Sequence, residues 1–154
     1  MIKKGDVIGY ENKGEFRSIV LEDVLKMFAE KTIVELIKFP SKCKCNKIAI
    51  ASTTDLEADK IIHFLIRQRE NPLTTSSKRG QSKGKEKLTS PKEGKIIKPL
   101  YLFLDKEVLL YAKLRDLKFG KEVNEKDKIS LFIDELEIKH PEVKQAVVSS
   151  LLGR

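Results

Sequence analysis

Apolar residues recur along the chain at two alternating spacings, and the alternation sketches the fold. Asp6 to Tyr10 reads as a short strand in a turn-rich opening. Leu21, Val24, Leu25 and Phe28 then fall at helical spacing behind Ser18, which suits the capping of a first turn. Thr32 to Phe39 is rich in β-branched and aromatic residues and ends at Pro40, as a strand does. Lys47 to Ala51 is short and apolar, the signature of a buried parallel strand. Thr54 and Glu57 follow in the S/T-x-x-E spacing of a capping box. Behind them Ala58, Ile61, Ile62, Leu65 and Ile66 form the stripe of an amphipathic helix that fades at Arg69 and stops by Pro72.

Residues 72–95 break the pattern. They are polar and nearly free of large apolar side chains, so they bury too little to offset their ordering entropy, and they read as a mobile loop. Order resumes over Lys95 to Leu104. A helix starts at Asp105 with Val108, Leu109, Ala112 and Leu117 facing inward, and Gly120 is placed to cap its end. Lys126 to Lys139 predicts a further helix with Ile129, Phe132, Ile133 and Leu136 on one face. Pro141 opens the last, which carries Val143, Ala146, Val147 and Leu151 inward. Strands alternating with helices predict an α/β fold: a three-layer arrangement with a small, mainly parallel sheet and a helical C-terminal segment. The 154 residues, 40% of them hydrophobic, suffice for a single domain.

The charge balance changes the expected partners. Thirty-one Lys and Arg against 23 Asp and Glu give +8, which favours a polyanion. Much of it is local: from Asn71 to Lys98 the net charge is +6. Lys78, Arg79, Lys83, Lys85 and Lys87, extended by Arg67 and Arg69 on the preceding helix, are the candidate RNA contacts. Phosphate neutralisation needs many flexible cations and no fixed spacing; a solvated linker is the competing explanation, since this segment offers no aromatic ring for stacking. The absence of a long apolar run, and of an apolar stretch behind the Lys-rich start, predicts a cytoplasmic protein that makes no use of a membrane.

Candidate chemistry concentrates at the strand–turn–helix of Lys47 to Ile62. At the carboxyl end of a parallel strand, a turn leading into a helix N-terminus presents N–H groups to an anion. Ser52, Thr53 and Asp55 are therefore the candidate nucleotide-binding residues, with ordinary turn polarity and an acidic first turn as the alternative account. Cys43 and Cys45 stand one residue apart, too close for an ordinary disulfide. As metal ligands they lack a second pair or a nearby His. Neither His63 nor His140 stands in a recognisable triad.

Several words then carry a resemblance. Ala51 to Asp59, Ile97 to Leu100, the Lys106, Glu107, Val108, Tyr111, Ala112 run, and Leu136, Glu137 with Pro141 occur in order over about 100 residues. The chain from residue 47 to 154 thereby resembles the C-terminal half of the PP-loop ATPases that make 2-thiouridine and 2-thiocytidine in tRNA, whereas residues 1–46 match weakly. The resemblance implies half of an adenine nucleotide alpha hydrolase-like fold, ATP as the cofactor to test, and tRNA as partner. The departures are specific. The family's S-G-G-x-D-S pyrophosphate loop occurs nowhere, its Gly-His-Asn is Ala51-Ser52-Thr53, and its second Asp is Leu56. A chain without that loop is not expected to adenylate a substrate alone. The resemblance therefore implies a subunit or accessory of a tRNA-modifying system, completed by an N-terminal-half PP-loop partner or a homodimer. The alternative is a non-enzymatic RNA- or nucleotide-binding module.

Overall fold

The computed structural model describes residues 2–40, 44–70, 92–120 and 128–152. They contain β1 (Val7–Glu11), α1 (Phe16–Lys31), β2 (Glu35–Phe39), β3 (Lys47–Ala49), α2 (Thr54–Glu70), β4 (Lys92–Glu93), β5 (Ile96–Ile97), α3 (Asp105–Leu114), α4 (Lys128–Lys139) and α5 (Val143–Leu151). The α/β class, the small mainly parallel sheet and the helical C-terminal segment agree with the sequence reading. The chain divides into two compact units, one of residues 1–54 with 91–124, the other of 55–90 with 125–154. No helix of the described residues is long and apolar enough to cross a membrane.

The first unit holds the sheet, in the order β2-β1-β3-β5-β4. Its first four strands run parallel, and β4 closes an antiparallel hairpin on β5. Residues 92–95, the end of the segment read as a loop, thus form this hairpin, with Gly94 at φ +56° supplying the turn. β1 is an interior strand: Gly9 is in register with Ile37 on one side and Ile48 on the other. A Cβ at Gly9 would lie 2.5 Å from the Phe39 ring, so a larger residue here requires that ring to move. Ile8, Tyr10, Val20, Leu21, Leu25, Val108 and Ala112 form the core between the sheet, α1 and α3. Each large member contributes about 1.5–3 kcal/mol by burial.

Two helix ends differ from expectation. Ser18 lies inside the first turn of α1, behind an N-cap at Glu15. α3 ends at Leu114, well before Gly120. Asp116 takes the left-handed turn at φ 52°, and the Leu117 N–H returns to the Ala112 carbonyl at 2.9 Å. Asp and Asn tolerate that conformation, so the helix stops without glycine. The Gly120 N–H instead donates to the Gly14 carbonyl, 2.8 Å away.

Glu22 on α1 joins three elements. Its carboxylate accepts from Asn12 Nδ2 at 2.6 Å and from Lys38 Nζ at 3.3 Å, and pairs with Lys26 at 2.7 Å. Burial pushes this carboxyl up, but the bonds from Lys26, Asn12 and Lys38 outweigh it and hold it at about 2. A carboxyl depressed in the folded state stabilises above its unfolded value near 4.5 and loses that contribution as pH falls towards 2. Glu22→Gln should therefore cost about 1–2 kcal/mol at neutral pH, and wild type and variant should converge by about pH 2 in urea titrations.

The second unit contains α2 from Asp55 onward, α4 and α5. Among the described residues, Ala58, Ile61, Ile133 and Val148 are its buried apolar ones. Of the expected stripes, Leu65 and Phe132 are more than half exposed. Among the described side chains of α5 the buried positions are Lys144 and Val148, one residue out of phase with the predicted Val143 and Val147.

Candidate functional site

Parallel strands on both sides of β1 create a switch point: β1 leads through α1 to β2 on one flank, while β3 lies on the other. Ligands of open α/β sheets bind outside the carboxyl ends of the strands at such a point. Here those ends carry the turn Asn12 to Glu15 after β1, Ile50 to Thr53 after β3, and Lys98 to Leu104 after β5.

A buried polar clamp ties them together. Arg17, at the start of α1, is 5% exposed. It donates through Nε to Asp105 Oδ1 at 2.7 Å and through Nη2 to Asp105 Oδ2. This is the two-pronged geometry that a guanidinium and a carboxylate make best. The fully buried Thr53 hydroxyl donates to the same Oδ1 at 2.6 Å. Glu15 approaches Arg17 at 3.8 Å, and the guanidinium stacks over the Phe16 ring at 4.6 Å. Beside it, Thr54 is the first residue of α2 and its hydroxyl donates to the Tyr101 carbonyl at 3.0 Å, while the Thr54 N–H reaches the Phe103 carbonyl at 2.9 Å. Thr54 thus ties the end of the turn after β3 to the segment after β5 within the first unit. On α3 a carboxylate serves the helix N-terminus: Glu107 accepts the Leu104 N–H at 2.8 Å.

The turn after β1 is closed on itself. Asn12 Oδ1 accepts the Gly14 N–H at 2.8 Å, an Asx turn, and the Ser18 hydroxyl accepts the Lys13 N–H at 3.2 Å. Gly14, at φ +80°, makes the reversal. Two amides that an anion would need are therefore committed to the chain's own side chains.

The three candidate nucleotide residues separate. Ser52 and Thr53 are buried in the first unit. Asp55 belongs to the second, where its Oδ1 accepts from Lys144 Nζ at 2.6 Å. Lys144 also donates to Asp134 at 3.0 Å and pairs with Glu137 at 2.7 Å. Burial opposes the lysine's charge, but the bonds from Asp55, Glu137 and Asp134 outweigh it and raise its pKa. Nearby, burial raises Asp59, against the bond that Ser130 donates at 3.0 Å. Glu57 is fully buried and paired with Lys60 at 3.1 Å.

Of the candidate RNA contacts, Arg67 is exposed on α2, Arg69 lies on its last turn, and Lys78, Arg79, Lys83, Lys85 and Lys87 fall outside the described residues. Cys43 also falls outside them; Cys45 is half-buried, its Sγ facing Gly9. Among the described residues no group of three or more His, Cys, Asp or Glu is placed to hold a metal ion.

Sequence spacing did not single out Arg17, Asp105 or Lys144 as site residues. The available signal was a charged residue within an otherwise apolar helix face.

No protein-family model matches the chain, and no curated protein does. A solved structure, the U34-tRNA thiolase NcsA from Methanococcus maripaludis with its [4Fe-4S] cluster, is similar at a TM-score of 0.66 and 17% identity, covering 97% of this chain and 72% of that one. This chain has two cysteines in all, fewer than a cluster held by four thiolates requires. The likeness takes in residues 1–46 as well as the stretch from Lys47 that carries the sequence words, and it establishes the chain as having a thiolase-like fold.

Proposed function

We propose that the chain is a PP-loop-type protein without a pyrophosphate loop of its own, acting as a subunit or accessory of a tRNA-modifying system of the thiolation or adenylation kind. The observation that carries this reading is the turn after β1. The PP-loop family keeps S-G-G-x-D-S behind its first strand; here the sequence is Asn12-Lys13-Gly14-Glu15, and its amides bond to Asn12 and Ser18. Fold likeness to a tRNA thiolase and a charge of +8 support tRNA as the partner. Ser52 and Thr53 stand at the strand ends of the first unit, where a nucleotide would meet them, and Asp55 is a further candidate contact in the second unit. Arg67, Arg69, Lys78, Arg79, Lys83, Lys85 and Lys87 supply phosphate contacts, in the cytoplasm, with a PP-loop partner or a second copy completing the machine.

The purified chain should bind tRNA with a steep salt dependence and release no AMP from ATP and tRNA by itself. Changing Lys78, Arg79, Lys83 and Lys85 to Ala should lower the slope of log K against log salt by about 3. AMP release by the chain alone would overturn the accessory role, and salt-independent or absent tRNA binding would overturn the RNA assignment. The second reading is a non-enzymatic RNA- or nucleotide-binding module, favoured by the pairing of Arg17 with Asp105 inside the crevice. Purification from native cells separates the two: a co-purifying PP-loop protein supports the first, and RNA without any protein partner supports the second.

A further inference from the structure

At the opposite ends of the strands, away from the switch point, the first unit contains a cavity of about 320 Å³. Lys3 and Lys4 line it ahead of β1, Phe28 and Lys31 line it from the last turns of α1, and Ile33 and Val34 line it ahead of β2. No acidic side chain lines it. Among the described residues none of the three lysines has an ion-pair partner, whereas Lys13, Lys26, Lys38, Lys47, Lys60 and Lys144 all do. Phe28 ends the apolar stripe of α1, yet it is 37% exposed, and Ile33 is 64% exposed.

The backbone carrying these groups is fixed. The Gly5 N–H donates to the Ile33 carbonyl at 2.6 Å, and the Glu35 N–H donates to the Asp6 carbonyl at 3.0 Å. Asp6 itself accepts the Lys3 N–H at 2.7 Å and Asn46 Nδ2 at 3.0 Å. Three unpaired cations around a half-exposed aromatic ring, on a rigid frame, meet the two needs of single-stranded nucleic acid. Flexible ammonium groups neutralise phosphates, and an aromatic face stacks on a base of any identity.

We infer that this cavity is a contact site for a single-stranded segment of RNA, with one base on Phe28 and the flanking phosphates on Lys3, Lys4 and Lys31. The inference rests on the RNA-binding reading but places a contact far in sequence from the basic segment around Lys78 to Lys87.

The test measures binding of a short fluorescent oligouridylate, and of tRNA, over a salt series. With Lys3, Lys4 and Lys31 all changed to Ala, the log–log slope should fall by about 2, at roughly 0.7 per phosphate on a single strand. Phe28→Leu, which keeps the apolar bulk, should weaken binding on the order of tenfold, and Phe28→Trp should restore it. An unchanged slope in the triple variant, or wild-type affinity in Phe28→Leu, overturns the inference. If the Lys78, Arg79, Lys83 and Lys85 variant loses tRNA while the cavity variants keep it, the cavity falls and the RNA reading stands. If wild type binds neither RNA, both fall. Loss by the triple variant of binding to phosphatidylserine vesicles, with RNA binding intact, overturns the inference in favour of a membrane surface.

Discussion

Asp105→Ala should destabilise the sheet-bearing unit by about 3–5 kcal/mol, the cost of stripping the carboxylate from a buried guanidinium. The Arg17 side chain is 6% exposed, so water does not readily replace Asp105, and the Thr53 hydroxyl loses its acceptor in the same step. Asp105→Asn should cost less, because an amide oxygen still accepts from Thr53 while the charge is lost. Changing Arg17 to Met together with Asp105 to Leu should recover much of the stability, since removing both charges leaves none buried alone. Tyr10, Tyr101 and Tyr111 all lie in this unit, so tyrosine fluorescence during urea unfolding reads it selectively. A loss below about 1 kcal/mol in Asp105→Ala would show that the pair behaves as an exposed one and that the clamp does not hold the strand ends together.

The elements were legible in the sequence where local periodicity decides them. β2, β3 and α2 announce themselves through β-branched runs and through the spacing of Ala58 and Ile61, both of them buried. Local spacing failed where a distant partner decides. Arg17 and Asp105 are 88 residues apart, and nothing near either names the other. The Thr54 hydroxyl donates to the Tyr101 carbonyl 47 residues away, a bond that local spacing does not announce. Phe28 and Phe132 continue their stripes by spacing yet stay partly exposed, because periodicity gives the angle of a residue and not the extent of the surface that covers it. On α5 the apolar scale itself misled. It set the inward face on Val143 and Val147, whereas the structure buries Lys144, whose charge is met by carboxylates from two other helices.

That lysine carries the second large effect. Asp55 from α2, with Asp134 and Glu137 from α4, converges on one ammonium group whose side chain is 7% exposed. In the wild type its raised pKa gives a contribution fully present below the ordinary lysine value of 10.5, lost as pH rises through the folded-state value. Lys144→Met preserves the stem but leaves three carboxylates facing each other, at a cost of about 3–5 kcal/mol at neutral pH. Deprived of their counterion, the three carboxylates repel one another, and a proton taken up on acidification relieves that repulsion. Acidification should therefore favour the variant over the wild type: Lys144→Met should melt higher at about pH 5 than at about pH 7.5, whereas the wild type, with an ammonium bonded to all three carboxylates, should gain less. Thermal melts followed by far-ultraviolet circular dichroism read the helices of this unit directly. A variant that melts with the wild type at both pH values would mean that water, and not Lys144, neutralises the cluster.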